Sequence, residues 1–328
     1  MMDKNYYKVN DGMLWEAPDD ENDVIWRYKG NPLFDFNKEK RFWHICNSAV
    51  AIVGGKYIGV FRCETPDGRP YLYIGKSADG VKWDIDDKAI KFVWKDTGEE
   101  FEFDHCYDPR LVKVEDKYFM VFCGHEDSPS IYIATTEDFE KFVLYPRCFL
   151  PCNRNGVLFP EKFDGKYYML NRPFSGNGSK DGEIWLSESA DLEFWGHHRK
   201  VINKFDNGKN YWERIKIGPG PAPIKTDEGW LLIYHGVQST CNGLCYSMGA
   251  CLLDLKDPSK VLYKAKRYLI SPSEPYECVG FTPNVMFPCA ALVDSKGHIT
   301  VYYGAADVNM GVCFTTVDKL LKFVKEYD

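Results

Sequence analysis

The sequence predicts an all-β fold, a five-bladed β-propeller with a functional site on its central axis. Three observations support this prediction: a hairpin pattern recurs five times, an outer strand pair follows most copies, and polar residues occupy equivalent places in the copies. The chain has 328 residues, a length that repeated small sheets reach as one unit. We therefore expect a single domain over residues 1–328, with an N-terminal extension (1–25) and a C-terminal helix (315–328).

Each copy of the repeat consists of an apolar run, a tight polar turn and an aromatic-rich β run, which together predict a hairpin. The five copies are NSAVAIVGGKYIGVFRCE, YDPRLVKVEDKYFMVFCG, NGVLFPEKFDGKYYMLNRP, GPAPIKTDEGWLLIYHG and CAALVDSKGHITVYYGAAD. We interpret each hairpin as the two inner strands of one propeller blade.

Most hairpins are followed by a second strand-like pair, which predicts the outer half of a blade. These pairs are YLYIGKSADGVKWDI, SIYIATTEDFEKFVLY, EIWLSESADLEFWGHHRKV and CYSMGACLLDLKDPSKVLY. Each unit then supplies four strands over roughly 50 to 70 residues, near the repeat lengths of propeller blades. An elongated β-solenoid is the alternative, but these repeats are long, irregular and rich in loops. After the last unit, Leu320, Leu321 and Val324 form a helical apolar stripe, which indicates packing or oligomer contacts.

Composition and charge exclude several classes of function. A net charge of −7 and a pI near 5.6 argue against a nucleic-acid binder. The N-terminus lacks the apolar segment of a signal peptide, and no run approaches the roughly 20 apolar residues of a membrane span. We expect a cytoplasmic protein that binds neither membrane nor nucleic acid. Many of the 12 cysteines lie in apolar strand patterns and are expected to be reduced, and no cysteine spacing completes a metal site.

The innermost strands of a propeller line its axis, so the start of each first strand and the end of its partner face one shared pocket. At the starts of the first strands lie Asn47-Ser48, Asp108, Asn155-Gly156, Gly218 to Pro221 and Pro288-Cys289. At the ends of the partner strands lie Arg62, His125, Arg172, His235 and Asp307. Polar groups converging on a dry axis would remain unpaired unless something binds there. The sequence therefore predicts an axial active site.

Four basic residues near this axis indicate a site for a small anion. Arg154, Arg172, Lys216 and His235 form a local basic excess in an acidic chain, and phosphate is the natural ligand. The alternative is that these residues pair with carboxylates of neighbouring blades. Glycoside hydrolysis usually needs two carboxyl groups, whereas inorganic phosphate is already an anionic nucleophile.

One acid, Asp108, beside an anion site therefore points to a phosphorylase. Asp307 is the second axial carboxylate, and a role in accepting hydrogen bonds from sugar hydroxyls suits its position equally well.

The sequence also resembles glycoside hydrolase family 130, the inverting β-mannoside phosphorylases and related enzymes. The resemblance runs from about Trp26 to the C-terminus. It rests on NSAV, FRC, YDPR, NRNGVLFP, RP, KIGPGP, IYHG, YSMGACLLDL, PYEC, PNVMFPCAAL and YYGAAD in this order. None of these motifs departs from the family pattern.

This resemblance implies phosphorolysis of a terminal β-1,4-linked mannosyl unit with inversion, giving α-mannose 1-phosphate. It implies that Asp108 is the general acid, acting through the mannosyl 3-hydroxyl, and that the four basic residues bind phosphate. It assigns sugar binding to Asn47, Ser48, Arg62, Tyr107 and Asp307. The hydrolytic branch of the family has acidic residues in place of the basic ones, so their retention here favours phosphate over water. No cofactor or metal is implied, because inorganic phosphate is a co-substrate.

The leaving-sugar site is expected to include Tyr246, Asn284 and Phe287. An aromatic platform stacks on either sugar, so mannooligosaccharides and mannosyl-N-acetylglucosamine both remain open as substrates. Two rival functions are an inverting β-mannosidase and a non-catalytic propeller that binds glycans. The resemblance also suggests a homo-oligomer, with a hexamer as one candidate assembly.

Overall fold

The computed structural model describes residues 7–34, 41–126, 128–175, 181–204 and 211–328, and it confirms the five-bladed β-propeller. The first strand, β1 (Trp26–Arg27), belongs to the last blade. Blade I contains β2 (His44–Val53), β3 (Lys56–Glu64), β4 (Pro70–Ser77) and β5 (Asp84–Ala89). In the outer part of blade II lie β6 (Phe92–Trp94) and β7 (Glu100–Phe101), and β6 pairs in parallel with the blade's fourth strand.

The remaining strands follow in chain order. Blade II continues with β8 (His105–Val114), β9 (Lys117–His125), β10 (Pro129–Thr136) and β11 (Phe142–Leu144). Blade III contains β12 (Asn153–Leu158), β13 (Tyr167–Pro173), β14 (Ile184–Ser189) and β15 (Gly196–Ile202). Blade IV contains β16 (Lys216–Pro219), β17 (Ile224–Lys225), β18 (Trp230–Thr240), β19 (Gly243–Leu253) and β20 (Val261–Lys264). Blade V contains β21 (Met286–Val293), β22 (His298–Ala305) and β23 (Asn309–Thr316), together with β1.

The N-terminal strand completes the last blade and so closes the ring. In β1, Trp26 and Arg27 pair with β23 of blade V. Arg27 also forms a two-fold ion pair with Glu277, with Nε 2.7 Å from Oε1 and Nη2 2.8 Å from Oε2. Glu277 is fully buried and accepts a further hydrogen bond from the Tyr303 hydroxyl at 2.8 Å. The strand β1 is therefore joined to the last blade by a sheet pairing and to the buried Glu277 by an ion pair.

Two α-helices and two single 3₁₀ turns complete the described structure: α1 (Pro275–Cys278), α2 (Val317–Glu326), Lys8–Asn10 and Tyr211–Glu213. The hydroxyl of Thr316 caps α2 by accepting a hydrogen bond from the Lys319 amide. The apolar stripe of α2, including Leu320 and Val324, is buried in this chain's own core. None of the helices in the described ranges has the length and apolar character needed to cross a bilayer.

The inner strands of four blades bulge where they reach the axis. The register shifts lie between Cys46 and Ala49, Tyr107 and Arg110, Arg154 and Val157, and Pro288 and Ala290. At the first three bulges Asn47, Asp108 and Asn155 adopt left-handed φ values of 44°, 53° and 54°. Asn and Asp tolerate this conformation better than most residues, and a bulge redirects a side chain out of the regular alternation. The repeated bulge therefore places polar side chains at the axis.

Candidate active site

Most of the predicted site residues line one cavity of about 280 Å³ at the axis. Ten of the thirteen lie in its wall: Asn47, Arg62, Tyr107, Asp108, Arg154, Arg172, Lys216, Tyr246, Phe287 and Asp307. The other three, Ser48, His235 and Asn284, lie behind or beside the wall. A larger cavity of about 500 Å³ lies at the other ends of the inner strands, but its lining is mostly apolar, with residues such as Val50 and Leu111. The smaller cavity is therefore the candidate active site.

Asp108 is held by two donors that both reach the same carboxylate oxygen. Its Oδ1 accepts hydrogen bonds from Arg62 Nη1 and from Asn47 Nδ2, each at 3.0 Å. Asn47 Nδ2 also lies 3.4 Å from Oδ1 of Asp307, so one amide joins the two axial carboxylates. No donor among the described residues engages Asp108 Oδ2 within hydrogen-bond distance. The second oxygen of Asp108 is therefore the one available to a substrate hydroxyl.

A second carboxylate behind the cavity keeps Arg62 in place. Arg62 Nη2 donates to Glu64 Oε1 at 2.6 Å, and His44 Nδ1 lies 3.3 Å from Glu64 Oε2. Burial opposes ionisation of Glu64, but the hydrogen bond from His44 and the charge of Arg62 hold its pKa below the ordinary value. An ionised Glu64 fixes the guanidinium that in turn orients Asp108.

The basic residues meet on the opposite side of the cavity. Arg154 and Arg172 are cross-strand neighbours in β12 and β13, and Arg172 Nη1 lies 3.3 Å from His235 Nε2. Burial, followed by the charges of Arg172 and Arg154, lowers the pKa of Lys216 to about 7. Burial also lowers the pKa of Arg172 to about 10. Burial is the main cause of both shifts, and the neighbouring cations add to the shift of Lys216; an anion bound beside these groups would favour their charged forms.

His235 supports this cluster from behind. Burial and the charges of Arg172 and Lys216 hold the pKa of His235 well below its ordinary value, so the ring is neutral. A neutral ring can accept the Arg172 hydrogen bond on Nε2 and carry its proton on Nδ1. His235 also packs against Phe287, with ring centroids 4.6 Å apart. It therefore positions Arg172 and Phe287 rather than lining the cavity itself.

The predicted leaving-sugar residues form an aromatic wall between blades IV and V. Lys216 Nζ lies 5.0 Å from the ring centroid of Tyr246, and burial raises the pKa of Tyr246 to about 12. Asn284 contributes through its backbone, because its carbonyl accepts a hydrogen bond from the Tyr246 amide at 2.9 Å.

The predicted sugar-binding residue Ser48 does not line the cavity. Its hydroxyl donates a hydrogen bond to the Cys46 carbonyl at 2.9 Å and is buried within its own strand.

Sequence reasoning missed part of the cavity wall, which also contains His105, His125, Asn155 and Val285. The repeat pattern places His125 and Asn155 near the axis without indicating a role, and it gives no sign of His105. His105 pairs with His125 across β8 and β9, with ring centroids 4.7 Å apart, and the Tyr107 hydroxyl lies 3.1 Å from His125 Nε2. Burial, then the charges of His105 and Arg154, lowers the pKa of His125 to about 4. A signal for His105 was available in the sequence. Side chains two residues apart on a strand point to the same face, so His105 shares a strand face with Tyr107.

The cavity is thus divided by charge. On the carboxylate side, blade II supplies Asp108 and blade V supplies Asp307. Blade I adds Asn47 and Arg62, which donate hydrogen bonds to Asp108. Blades III and IV supply the cationic side, with Arg154, Arg172 and Lys216. Among the described residues, no group of three or more His, Cys, Asp or Glu is placed to hold a metal ion.

A family model described as beta-1,4-mannooligosaccharide phosphorylase matches residues 18–326, nearly the whole chain. The chain belongs to glycoside hydrolase family 130. Among its relatives, the beta-1,4-mannooligosaccharide phosphorylase of Ruminococcus albus is 43% identical, covering 95% of this chain and 94% of that protein. The 4-O-beta-D-mannosyl-D-glucose phosphorylase of Bacteroides fragilis is 29% identical, covering 92% and 80%.

Solved structures agree with the family 130 fold. The β-1,2-mannobiose phosphorylase of Listeria innocua, solved with β-1,2-mannobiose, superposes with a TM-score of 0.80 at 27% identity, covering 92% of this chain and 99% of that one. This solved relative shares the propeller, and the names of the relatives differ in linkage and in the second sugar. Residues at the leaving-sugar side of the cavity are where such differences are expected to arise.

Proposed function

We propose that this chain is a β-1,4-mannooligosaccharide phosphorylase. It cleaves the terminal β-1,4-linked mannose of a mannooligosaccharide with inorganic phosphate, giving α-D-mannose 1-phosphate and a shortened saccharide, and the reaction is reversible. The closeness of the Ruminococcus albus relative over almost the full length supports this substrate class. The observation that carries the proposal is the division of one cavity into a carboxylate side and a cationic side.

The division suits an inverting displacement. In such a reaction the nucleophile attacks the anomeric carbon from the face opposite to the leaving oxygen. Phosphate bound by Arg154, Arg172 and Lys216 would lie across the cavity from Asp108, with His235 holding Arg172 in place. As phosphate forms its bond to C1, the bond from C1 to the glycosidic oxygen breaks. Asp108, acting as a carboxylic acid, gives its proton to the mannosyl 3-hydroxyl, which passes its own proton to that oxygen, and Asp108 is left as the carboxylate that Arg62 and Asn47 hold.

The remaining cavity residues bind the sugars. Asn47, Arg62, Tyr107 and Asp307 surround the terminal mannose, and Ser48 supports them from within β2. Tyr246, Asn284 and Phe287 form the site of the leaving sugar. Because phosphate is the nucleophile and Asp108 the acid, the reaction needs no metal or cofactor. We further propose that the enzyme is cytoplasmic and works as a homo-oligomer.

One assay separates this function from its rivals. Purified protein is incubated with β-1,4-mannobiose, with and without phosphate, and the products are separated by chromatography. Mannose 1-phosphate formed only with phosphate is the expected result. Free mannose at the same rate without phosphate would identify a β-mannosidase, and no turnover of any β-mannoside would identify a glycan-binding propeller.

The choice of second sugar is tested in the reverse direction, with α-mannose 1-phosphate as donor. We expect mannose and β-1,4-mannobiose to be elongated in preference to N-acetylglucosamine or glucose. A kcat/KM for N-acetylglucosamine about tenfold above that for mannobiose, a gap of roughly 1.4 kcal/mol in transition-state binding, would instead identify a mannosyl-N-acetylglucosamine phosphorylase.

A further inference from the structure

Trp43 and Phe281, with His44 between them, form an exposed aromatic patch, which we call the rim patch because its segments lead into β2 and β21, two strands that line the axial cavity. Trp43 is 55% exposed and Phe281 is 69% exposed, although both are large apolar side chains. The ring centroid of His44 lies 6.4 Å from that of Trp43 and 5.6 Å from that of Phe281. The three rings therefore form one connected surface rather than isolated exposed side chains.

On one side, the patch is bonded to the residues that hold the proposed acid. The Trp43 amide donates to the Glu64 carbonyl at 2.8 Å, and His44 contacts the Glu64 carboxylate. Glu64 in turn binds Arg62, which donates to Asp108. A short chain of contacts thus connects the patch to the acid.

On the other side, the patch flanks Asp307 in the cavity wall. The Thr282 amide donates to the Ala306 carbonyl, and the Ile45 amide donates to the Val308 carbonyl, each at 3.1 Å. These bonds join the segments that carry Phe281 and Trp43 to the two neighbours of Asp307. Trp43 and Phe281 therefore belong to segments that adjoin the cavity wall, on the neighbouring blades I and V.

We propose that this patch is a binding site for the third sugar ring of a linear β-mannoside, counted from the mannose that is cleaved. The inference rests on the proposed function, because it extends the same substrate beyond the cavity. A hexose has an apolar face of C–H groups, and Trp and Phe offer large rigid apolar surfaces that match it. An exposed apolar patch beside a polar cavity is typical of a ligand groove.

The size of the patch favours a sugar over a second protein chain. A stable protein interface buries roughly 800 Å² on each partner. Trp43 and Phe281, even with the neighbouring exposed Val279, present only a few side chains. One or two sugar rings match that surface, whereas a subunit contact would need much more.

The test compares substrates of two and three rings. In Trp43→Ala and Phe281→Ala, we expect the ratio of kcat/KM for β-1,4-mannotriose to that for β-1,4-mannobiose to fall about tenfold, the scale of one lost stacking contact. Phe194→Ala is the matched control, because Phe194 is 79% exposed on the outer turn of blade III. That variant should keep the wild-type ratio.

Two further measurements separate the possible failures. Calorimetric titration of the wild type without phosphate should show that mannotriose binds more tightly than mannobiose. The Trp43→Ala variant should lose this difference in affinity, and the comparison holds even if the chain has no turnover. Light scattering gives the oligomer mass of each variant. An unchanged substrate ratio in both rim variants, equal affinity for the two saccharides in the wild type, or a changed mass in Trp43→Ala would each overturn the inference. Lack of turnover with retained mannotriose preference would instead contradict only the proposed function.

Discussion

The anion site should lose affinity for a dianion between pH 6 and pH 8, because Lys216 releases its proton in that range. Burial lowers the pKa of Lys216 most, and the charges of Arg172 and Arg154 lower it further, to about 7. Asp307 and Asp181 act in the opposite direction but more weakly. The free enzyme therefore carries a charged Lys216 below pH 7 and a neutral one above it.

The size of the effect follows from that pKa. About nine-tenths of Lys216 is charged at pH 6 and about one-tenth at pH 8, as for any base with a pKa of about 7. If the bound dianion keeps Lys216 charged, the apparent dissociation constant should rise about tenfold over this range. His235 should not contribute to the slope, because burial and the neighbouring cations hold its pKa well below the ordinary value.

Sulfate is the suitable probe, because it stays doubly charged over this range whereas phosphate itself titrates near neutral pH. Calorimetric titration of sulfate at pH 6, 7 and 8 should show the weakening in the wild type. Lys216→Arg is the control, since a guanidinium remains charged throughout and should give a nearly flat profile. A flat profile in the wild type, or an equal slope in Lys216→Arg, would refute the assignment of this titration to Lys216.

Three further predictions concern other groups. Asp108→Asn should reduce the rate of phosphorolysis about 10²–10⁴-fold without changing the unfolding temperature, because an amide cannot act as a general acid. Near-normal activity in the folded variant would remove Asp108 from the mechanism. Arg172→Ala should raise the KM for phosphate more than the KM for mannoside, since charge-assisted hydrogen bonds contribute roughly 1.5–3 kcal/mol; the reverse pattern would contradict the anion site. Arg27→Ala should lower the free energy of unfolding in urea by about 3–5 kcal/mol, because it leaves the buried Glu277 without its partner. The matched control Lys29→Ala, which breaks an exposed ion pair with Asp19, should leave the urea midpoint nearly unchanged, and an equal loss in both variants would contradict the role of burial.

The blades could be predicted from the sequence because a hairpin is a local structure. Alternating apolar residues and a short polar turn lie within about 20 residues, so the pattern and its repeat are both visible. The closure of the ring could not be predicted in this way. Strand β1 has two residues, too few to show alternation, and its partner β23 lies almost a chain length away. The parallel pairing of β6 with β11 could not be predicted either, because each of these strands has only three residues.

The candidate site was predictable where repeat position and residue type agreed. Asp108 lies near the start of a first strand and Arg172 at the end of a partner strand, the two places of the repeat that face the axis, and both carry groups that are costly to bury without a partner. The bulges were not predictable, although they aim Asn47 and Asp108 at the axis, because these inner strands are buried on both faces and show little alternation that an inserted residue could interrupt. His105 was missed because a polar residue at the start of a strand resembles an ordinary loop residue.

The propeller places the carboxylate Asp108 and the cation Lys216 of one cavity on separate blades. Each blade fixes its axial side chains by its own sheet hydrogen bonds, so Asp108 on blade II and Lys216 on blade IV are anchored to separate sheets. The pKa of Lys216 is set mainly by burial and by the cations of blade III. Replacing the cations of blades III and IV would therefore remove the proposed phosphate site while leaving the proposed acid, Asp108, and its contact with Arg62 in place. Because the two proposed half-sites lie on different blades, a family built on this fold can change its nucleophile independently of its acid.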